Sequence, residues 1–171
     1  MRPGAGQLTG GPGNRRGGRQ DGPRLRVFIE NEAGSDLKHH HDEETLAFLR
    51  TEQVRAPYPF PYGFIPGTLA PDGDCVDCFV VTGLPLSTGE LVDCEPVGLM
   101  EQTEAGFVDH NVVAVPVGEA WPGMQALRPA LTRFAKEVFA GMPGREVVVG
   151  RFLPRQAALA YLKACACSAE G

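Results

Sequence analysis

Three carboxylates fall within six residues at Asp72-Gly-Asp74-Cys75-Val76-Asp77, between Pro71 and the apolar run Cys78-Phe-Val-Val81. A fold that buries the apolar run has to leave the acidic segment at a cleft or surface, because like charges this close repel. A divalent cation relieves that repulsion most directly. Hard ions such as Mg²⁺ take carboxylate oxygens from a few residues, together with water and substrate phosphate. An acidic turn is the alternative reading, since Asp and Gly are common turn residues.

The flanking residues decide between the two. Tyr58-Pro-Phe-Pro-Tyr62-Gly-Phe-Ile-Pro-Gly-Thr68-Leu stands just upstream of Asp72. Arg26-Val-Phe-Ile-Glu30 comes earlier, and Glu90-Leu-Val-Asp-Cys-Glu-Pro-Val-Gly98 and Asn111-Val-Val-Ala-Val-Pro116 come later. In this order and spacing the chain resembles the soluble family I inorganic pyrophosphatases over roughly residues 25–160, and the loop matches that family's metal loop.

Cleavage of a phosphoanhydride needs a deprotonated water and cations to hold phosphate charge. The resemblance implies hydrolysis of pyrophosphate to two phosphates, with Mg²⁺ as cofactor and no covalent enzyme intermediate. It implies metal-binding roles for Asp72, Asp77, Asp109, Glu104 and Glu30, and a general base in Asp74. It also implies substrate-binding roles for Lys38, Arg50, Tyr58 and Tyr62.

Several positions depart from the family pattern. His40 stands for a Glu, Cys75 for the loop proline, and Glu104 for an Asp. Asn111 stands for a phosphate-binding Lys, and Val138-Phe139 for a Tyr-Lys pair. Two cations and a phenol are therefore missing at their expected places, which would lower the rate by about two to four orders of magnitude if uncompensated. Arg133, Lys136, Arg151 and Arg155 are the candidate replacements, with ordinary solvated charges as the plainer reading. A homologue acting on an organic pyrophosphate or another phosphorylated metabolite, and a non-catalytic homologue, are the competing functions. Retention of four aspartates argues against the second, because unpaired carboxylates facing one cavity are costly without metal.

Composition narrows the class. At 171 residues the chain suits one domain, and a net charge of −5 argues against nucleic-acid binding. No apolar run approaches the roughly 20 residues of a membrane helix, and the N-terminus lacks the apolar core of a signal peptide, so a cytoplasmic address is expected. Five cysteines give no disulfide framework. Cys75-x-x-Cys78 lacks a second pair to complete a zinc site. At most two of His39, His40 and His41 could converge from one strand, and a polar hairpin tip is their plainer reading. Residues 1–23, rich in Gly, Pro and Arg, are expected to form a disordered tail before a domain over 24–171.

Strands are expected at Leu25–Glu30, Cys78–Val81, Leu91–Met100, Phe107–Val115 and Glu146–Val149, with a hairpin over Lys38–Arg50. Leu127, Leu131, Phe134 and Val138 recur at helical spacing, with Pro129 placed in a first turn. Pro154 opens a second helix over Arg155–Ala166. Short strands followed by helices imply an α+β domain. The resemblance sharpens this to a small antiparallel five-stranded OB-like β-barrel flanked by two C-terminal helices, in a homo-oligomer that is a hexamer in many bacterial members.

Overall fold

The computed structural model describes residues 22–168; residues 1–21, where most of the expected tail falls, lie outside them. The strands are β1 (Leu25–Asn31), β2 (Leu37–His41), β3 (Phe48–Gln53), β4 (Tyr62–Ile65), β5 (Val76–Val80) and β6 (Leu91–Glu104). After them come β7 (Phe107–Val108), β8 (Asn111–Pro116), α1 (Met124–Glu137), β9 (Val147–Pro154) and α2 (Arg155–Cys165). Among the described residues no helix is long and apolar enough to cross a membrane.

Five strands pair in a ring: β1 with β4, β4 with β5, β5 with β8, β8 with β6, and β6 back to β1. The long β6 also carries β7 and β9, while β2 and β3 form a separate hairpin. Against the expectation of an all-antiparallel barrel, β5 and β8 run parallel. The intervening β6 brings the chain back, so that β8 meets β5 in the same direction. Gly63 permits the β1–β4 contact, since a Cβ there would stand 1.7 Å from the carbonyl oxygen of Phe28.

Both faces of the central strands are buried, each under its own helix. Val76, Cys78, Val80, Val112 and Ala114 join Val27, Ile29 and Leu99 in a core that includes Ala158 and Cys165 of α2. Tyr62, Phe79, Met100 and Val113 face the other way and pack with Leu127, Leu131 and Phe134 of α1. Burial on both faces explains why β5 and β8 read as unbroken apolar runs.

Two local expectations need correction. Phe107–Val115 is not one strand: after the reverse turn at Ala105 (φ 49°) and Gly106 (φ 84°), pairing lapses at Asp109 and His110 before β8 begins. Pro129 is the sixth residue of α1, not a first-turn residue, because the helix starts at Met124. Its ring therefore removes an interior hydrogen bond, and the buried stripe from Met124 to Ala135 offsets that loss.

Candidate active site

At one end of the α1-covered face lies a cavity of about 250 Å³. Its wall includes Glu30, Lys38, Tyr58, Tyr62, Asp72, Asp74, Asp77, Glu104 and Asp109, nine of the ten residues named from sequence. Arg50 is the exception. It shares the hairpin face of Lys38, His40 and Glu52 but stands nearer the hairpin end, with its side chain 63% exposed and 3.7 Å from Glu52.

The acidic loop is held by its own backbone. Asp72 Oδ1 accepts from the Asp74 amide at 3.1 Å, and the Ala70 amide donates to the Asp74 carbonyl at 2.7 Å. Gly73, at φ 94°, makes the turn that a side chain would strain. Thr68 Oγ1 accepts from the Val76 amide at 2.8 Å, fixing the loop onto β5. The Cys75 amide, which a proline would lack, donates to Glu43 Oε2 at 2.7 Å. Glu43, from the turn after β2, also lines the cavity and was not singled out from sequence. Burial, and then the neighbouring Glu43 carboxylate, push the Cys75 thiol up to about 11, so this cysteine stays protonated.

The strand register sets the remaining acids. Asp77 and Asn111 are direct partners across β5–β8, hence side by side on the cavity face. Asp109 falls in the break before β8, 9% exposed, and its Oδ2 accepts from Gln102 Nε2 at 3.1 Å. Burial, and next the charge of Asp109, hold Asp77 well above the usual carboxylate range; Lys38 and the Tyr62 hydroxyl counter them in part. Burial and Asp109 likewise raise Asp72, and burial and Asp72 raise Asp74.

These mutual shifts describe an oxygen-donor cluster short of positive charge. Among the described residues, no three His, Cys, Asp or Glu side chains already stand at the distances of a finished metal site. The donor set nonetheless fits a hard divalent cation: carboxylates only, sharing one wall, with Asp72, Asp74 and Asp77 raised by burial and by neighbouring carboxylates for want of a counter-charge.

Burial pushes both tyrosine hydroxyls up, so Tyr58 and Tyr62 remain protonated donors. Lys38 Nζ lies 5.8 Å from the Tyr62 ring centroid and 5.3 Å from that of Phe139. Glu30 accepts from the amide of His41 and pairs with its Nδ1, both at 3.0 Å. His40 Nε2 pairs with Glu52 at 3.0 Å and His39 Nδ1 with Thr51 at 2.7 Å. The three histidines lie along β2, not at a hairpin tip, and serve three separate partners. Cys75 and Cys78 are free and buried.

None of the four suggested replacement cations lines this cavity. Arg133 pairs with Glu137, Arg151 with Glu101, Lys136 lines grooves outside α1, and a buried Arg155 Nη2 has no partner. The cation that lines it beside Lys38, Arg145, was not legible from sequence. It lies in the turn between α1 and β9, and only distant packing brings it to the site. Asn111, 2% exposed, leaves its Oδ1 without a partner.

Known proteins of one kind match this chain in sequence and in fold. A sequence-family model described as inorganic pyrophosphatase matches residues 27–165. The inorganic pyrophosphatase of Nanoarchaeum equitans is 32% identical over 147 residues, covering 80% of this chain and 92% of that one. Those of Sulfolobus acidocaldarius and Aquifex pyrophilus are 33% and 39% identical. The chain spans only 61% and 53% of their lengths, and the matches cover 61% and 54% of the chain itself. Among solved structures, an inorganic pyrophosphatase from Neisseria gonorrhoeae superposes with a TM-score of 0.77 at 28% identity, covering 86% of this chain and 92% of that one. One from Coxiella burnetii gives 0.74 at 28% identity, covering 83% and 92%.

Proposed function

Because the chain belongs to the inorganic pyrophosphatase family, we propose that its cavity hydrolyses inorganic pyrophosphate to two orthophosphates with Mg²⁺ as cofactor. The observation that carries this reading is one cavity wall bearing Asp72, Asp74, Asp77 and Asp109 together with Lys38, Tyr58 and Tyr62. Asp72, Asp77 and Asp109 would hold the cation, with Glu104 and Glu30 as outer contributors. A bound divalent cation supplies an acidified water and screens phosphate charge.

The side chains divide the remaining work. Asp74 takes the proton of the attacking water on a carboxylate oxygen. Burial and the Asp72 charge raise its pKa, which brings it nearer to that of a useful base at neutral pH. Lys38 neutralises phosphate charge, and the protonated hydroxyls of Tyr58 and Tyr62 donate to phosphate oxygens. Arg50, which shares the hairpin face of Lys38, would meet a phosphate of the substrate by swinging its exposed side chain inward.

A second reading has one observation in its favour. Phe134, Val138, Phe139 and Val147 make part of the wall apolar, which would suit the organic moiety of a substituted diphosphate. Phosphate release with Mg²⁺, measured for pyrophosphate beside alkyl and nucleoside diphosphates, separates the two. Pyrophosphate is expected to be the best substrate; no turnover of it beside good turnover of an organic diphosphate would overturn the first reading. The proposal includes a cytoplasmic homo-oligomer, hexameric by resemblance, without nucleic-acid or membrane partners. Sedimentation velocity would test its assembly, and a monomer would contradict it.

A further inference from the structure

Among the described residues the cavity wall carries seven carboxylates, Glu30, Glu43, Asp72, Asp74, Asp77, Glu104 and Asp109, but only two Lys or Arg side chains, Lys38 and Arg145. An anionic substrate entering so acidic a space depends heavily on each of them. Resting on the pyrophosphatase reading above, we propose that Arg145 is a substrate-binding residue that holds a phosphoryl group, presented by Phe139.

Its position supports this role. Arg145 lines the cavity and also a shallow side opening shared with Asp72, Glu104 and Asp109, so it stands at the boundary of the acidic cluster. Its side chain is 27% exposed, unlike Arg133 and Arg151 at 78% and 76%. The guanidinium carbon lies 3.6 Å from the Phe139 ring centroid, a face-on cation–π contact. Lys38 Nζ approaches the same ring. Phe139 thus carries no charge itself but gathers two cations from different elements.

The turn that bears Arg145 is anchored on both sides. The Arg55 amide donates to the Val138 carbonyl at 3.0 Å, and Arg55 Nη1 to that of Ala140. On the other side, the Ala105 amide donates to the Glu146 carbonyl at 2.8 Å. Within the guanidinium, Nη1 bonds Glu52 and Nε bonds Glu104 at 3.3 Å. Nη2 takes part in neither pair. Two carboxylates therefore fix the plane of the group, and Nη2 is left to donate a charged hydrogen bond to phosphate.

The test uses the full chain with Mg²⁺, reading both pyrophosphate hydrolysis and calorimetric binding of inorganic phosphate. R145A is expected to lose about ten- to a hundred-fold in kcat/KM, and at least ten-fold in phosphate affinity. Mg²⁺ affinity without phosphate should hold or rise, since no cation ligand is removed and Glu104 is released from its bond to the guanidinium. R145K, which keeps charge without the planar fork, should fall between wild type and R145A. A purely structural arginine would instead lower the melting temperature and Mg²⁺ affinity without selective loss of phosphate, which would overturn the proposal. So would R145A within two-fold of wild type in both readouts. If R145A does not fold, F139L provides the decision: selective loss of phosphate affinity supports the proposal and none overturns it. Absence of wild-type pyrophosphate turnover would refute the catalytic reading, while phosphate binding would still report on Arg145.

Discussion

Replacing Asp109 by Asn should stabilise the cation-free protein while removing most of its response to Mg²⁺. Asp109 raises the pKa of both Asp77 and Asp72, second only to burial for Asp77. A carboxyl whose folded pKa lies above its unfolded value contributes stability that is complete below the unfolded value, near pH 3.9, and is lost as pH rises through the folded one. The cation-free wild type should therefore weaken as pH rises from about 4 toward the raised values. Two unit charges about 5 Å apart at an effective dielectric of about 20 repel by about 3 kcal/mol. Proton retention by one partner reduces the realised gain in D109N to about 1–2 kcal/mol at pH 8. Asn can still accept from Gln102, so the existing hydrogen bond survives. In EDTA the melting temperature should rise by about 2–8 °C at pH 8 and by little at pH 4. With Mg²⁺ at a hundred times its dissociation constant, wild type should gain about 2.7 kcal/mol and the variant far less, reversing the order. Thermal melts at both pH values, with EDTA and with Mg²⁺, give the answer. A variant less stable than wild type in EDTA at pH 8, or equal stabilisation of both by Mg²⁺, would refute the reasoning.

Three further outcomes are expected. Asp74→Asn should reduce turnover by about 10²–10⁴-fold while leaving Mg²⁺ affinity nearly intact, because the amide cannot take the water proton; retention of most activity would remove Asp74 from that role. Asn111→Lys, beside Asp77 and lining the cavity, should raise kcat/KM by about ten-fold through one charged hydrogen bond. A folded but unimproved variant would mean that the site already has enough positive charge. Glu43→Ala removes the acceptor of the Cys75 amide and should destabilise the fold by about 1–3 kcal/mol in denaturant melts and weaken Mg²⁺ binding; an unchanged loop by both measures would contradict this.

What the sequence made legible was local. Asp72, Asp74 and Asp77 lie on one loop, so spacing brought them to the same place, whereas Tyr58 and Tyr62 were reachable through the resemblance. Lys38 and Asp109 were reachable through family resemblance, and both line the cavity. Arg145 was not, because its partners Glu52 and Glu104 are 93 and 41 residues away and no short pattern encodes their meeting. Glu43 was hidden likewise, 32 residues from the Cys75 amide it accepts from. The two-residue period of β5 and β8 is invisible where both faces are buried, and the parallel pairing of these strands depends on the path of β6 between them. Arg50 shares the hairpin face of Lys38 while its guanidinium stands in solvent beside Glu52, so chain position sets the face of the hairpin and not the reach of the side chain.

The central claim is that the four aspartates use a divalent cation to hydrolyse pyrophosphate in this cavity. The direct measurement is phosphate release from pyrophosphate by EDTA-stripped protein titrated with Mg²⁺, beside Asp77→Asn at the same concentrations. The account predicts no release without the cation, a saturable rise with Mg²⁺ in the wild type, and little or none in the variant. Release that ignores Mg²⁺, or no release from the folded wild type at any Mg²⁺ concentration, would contradict it.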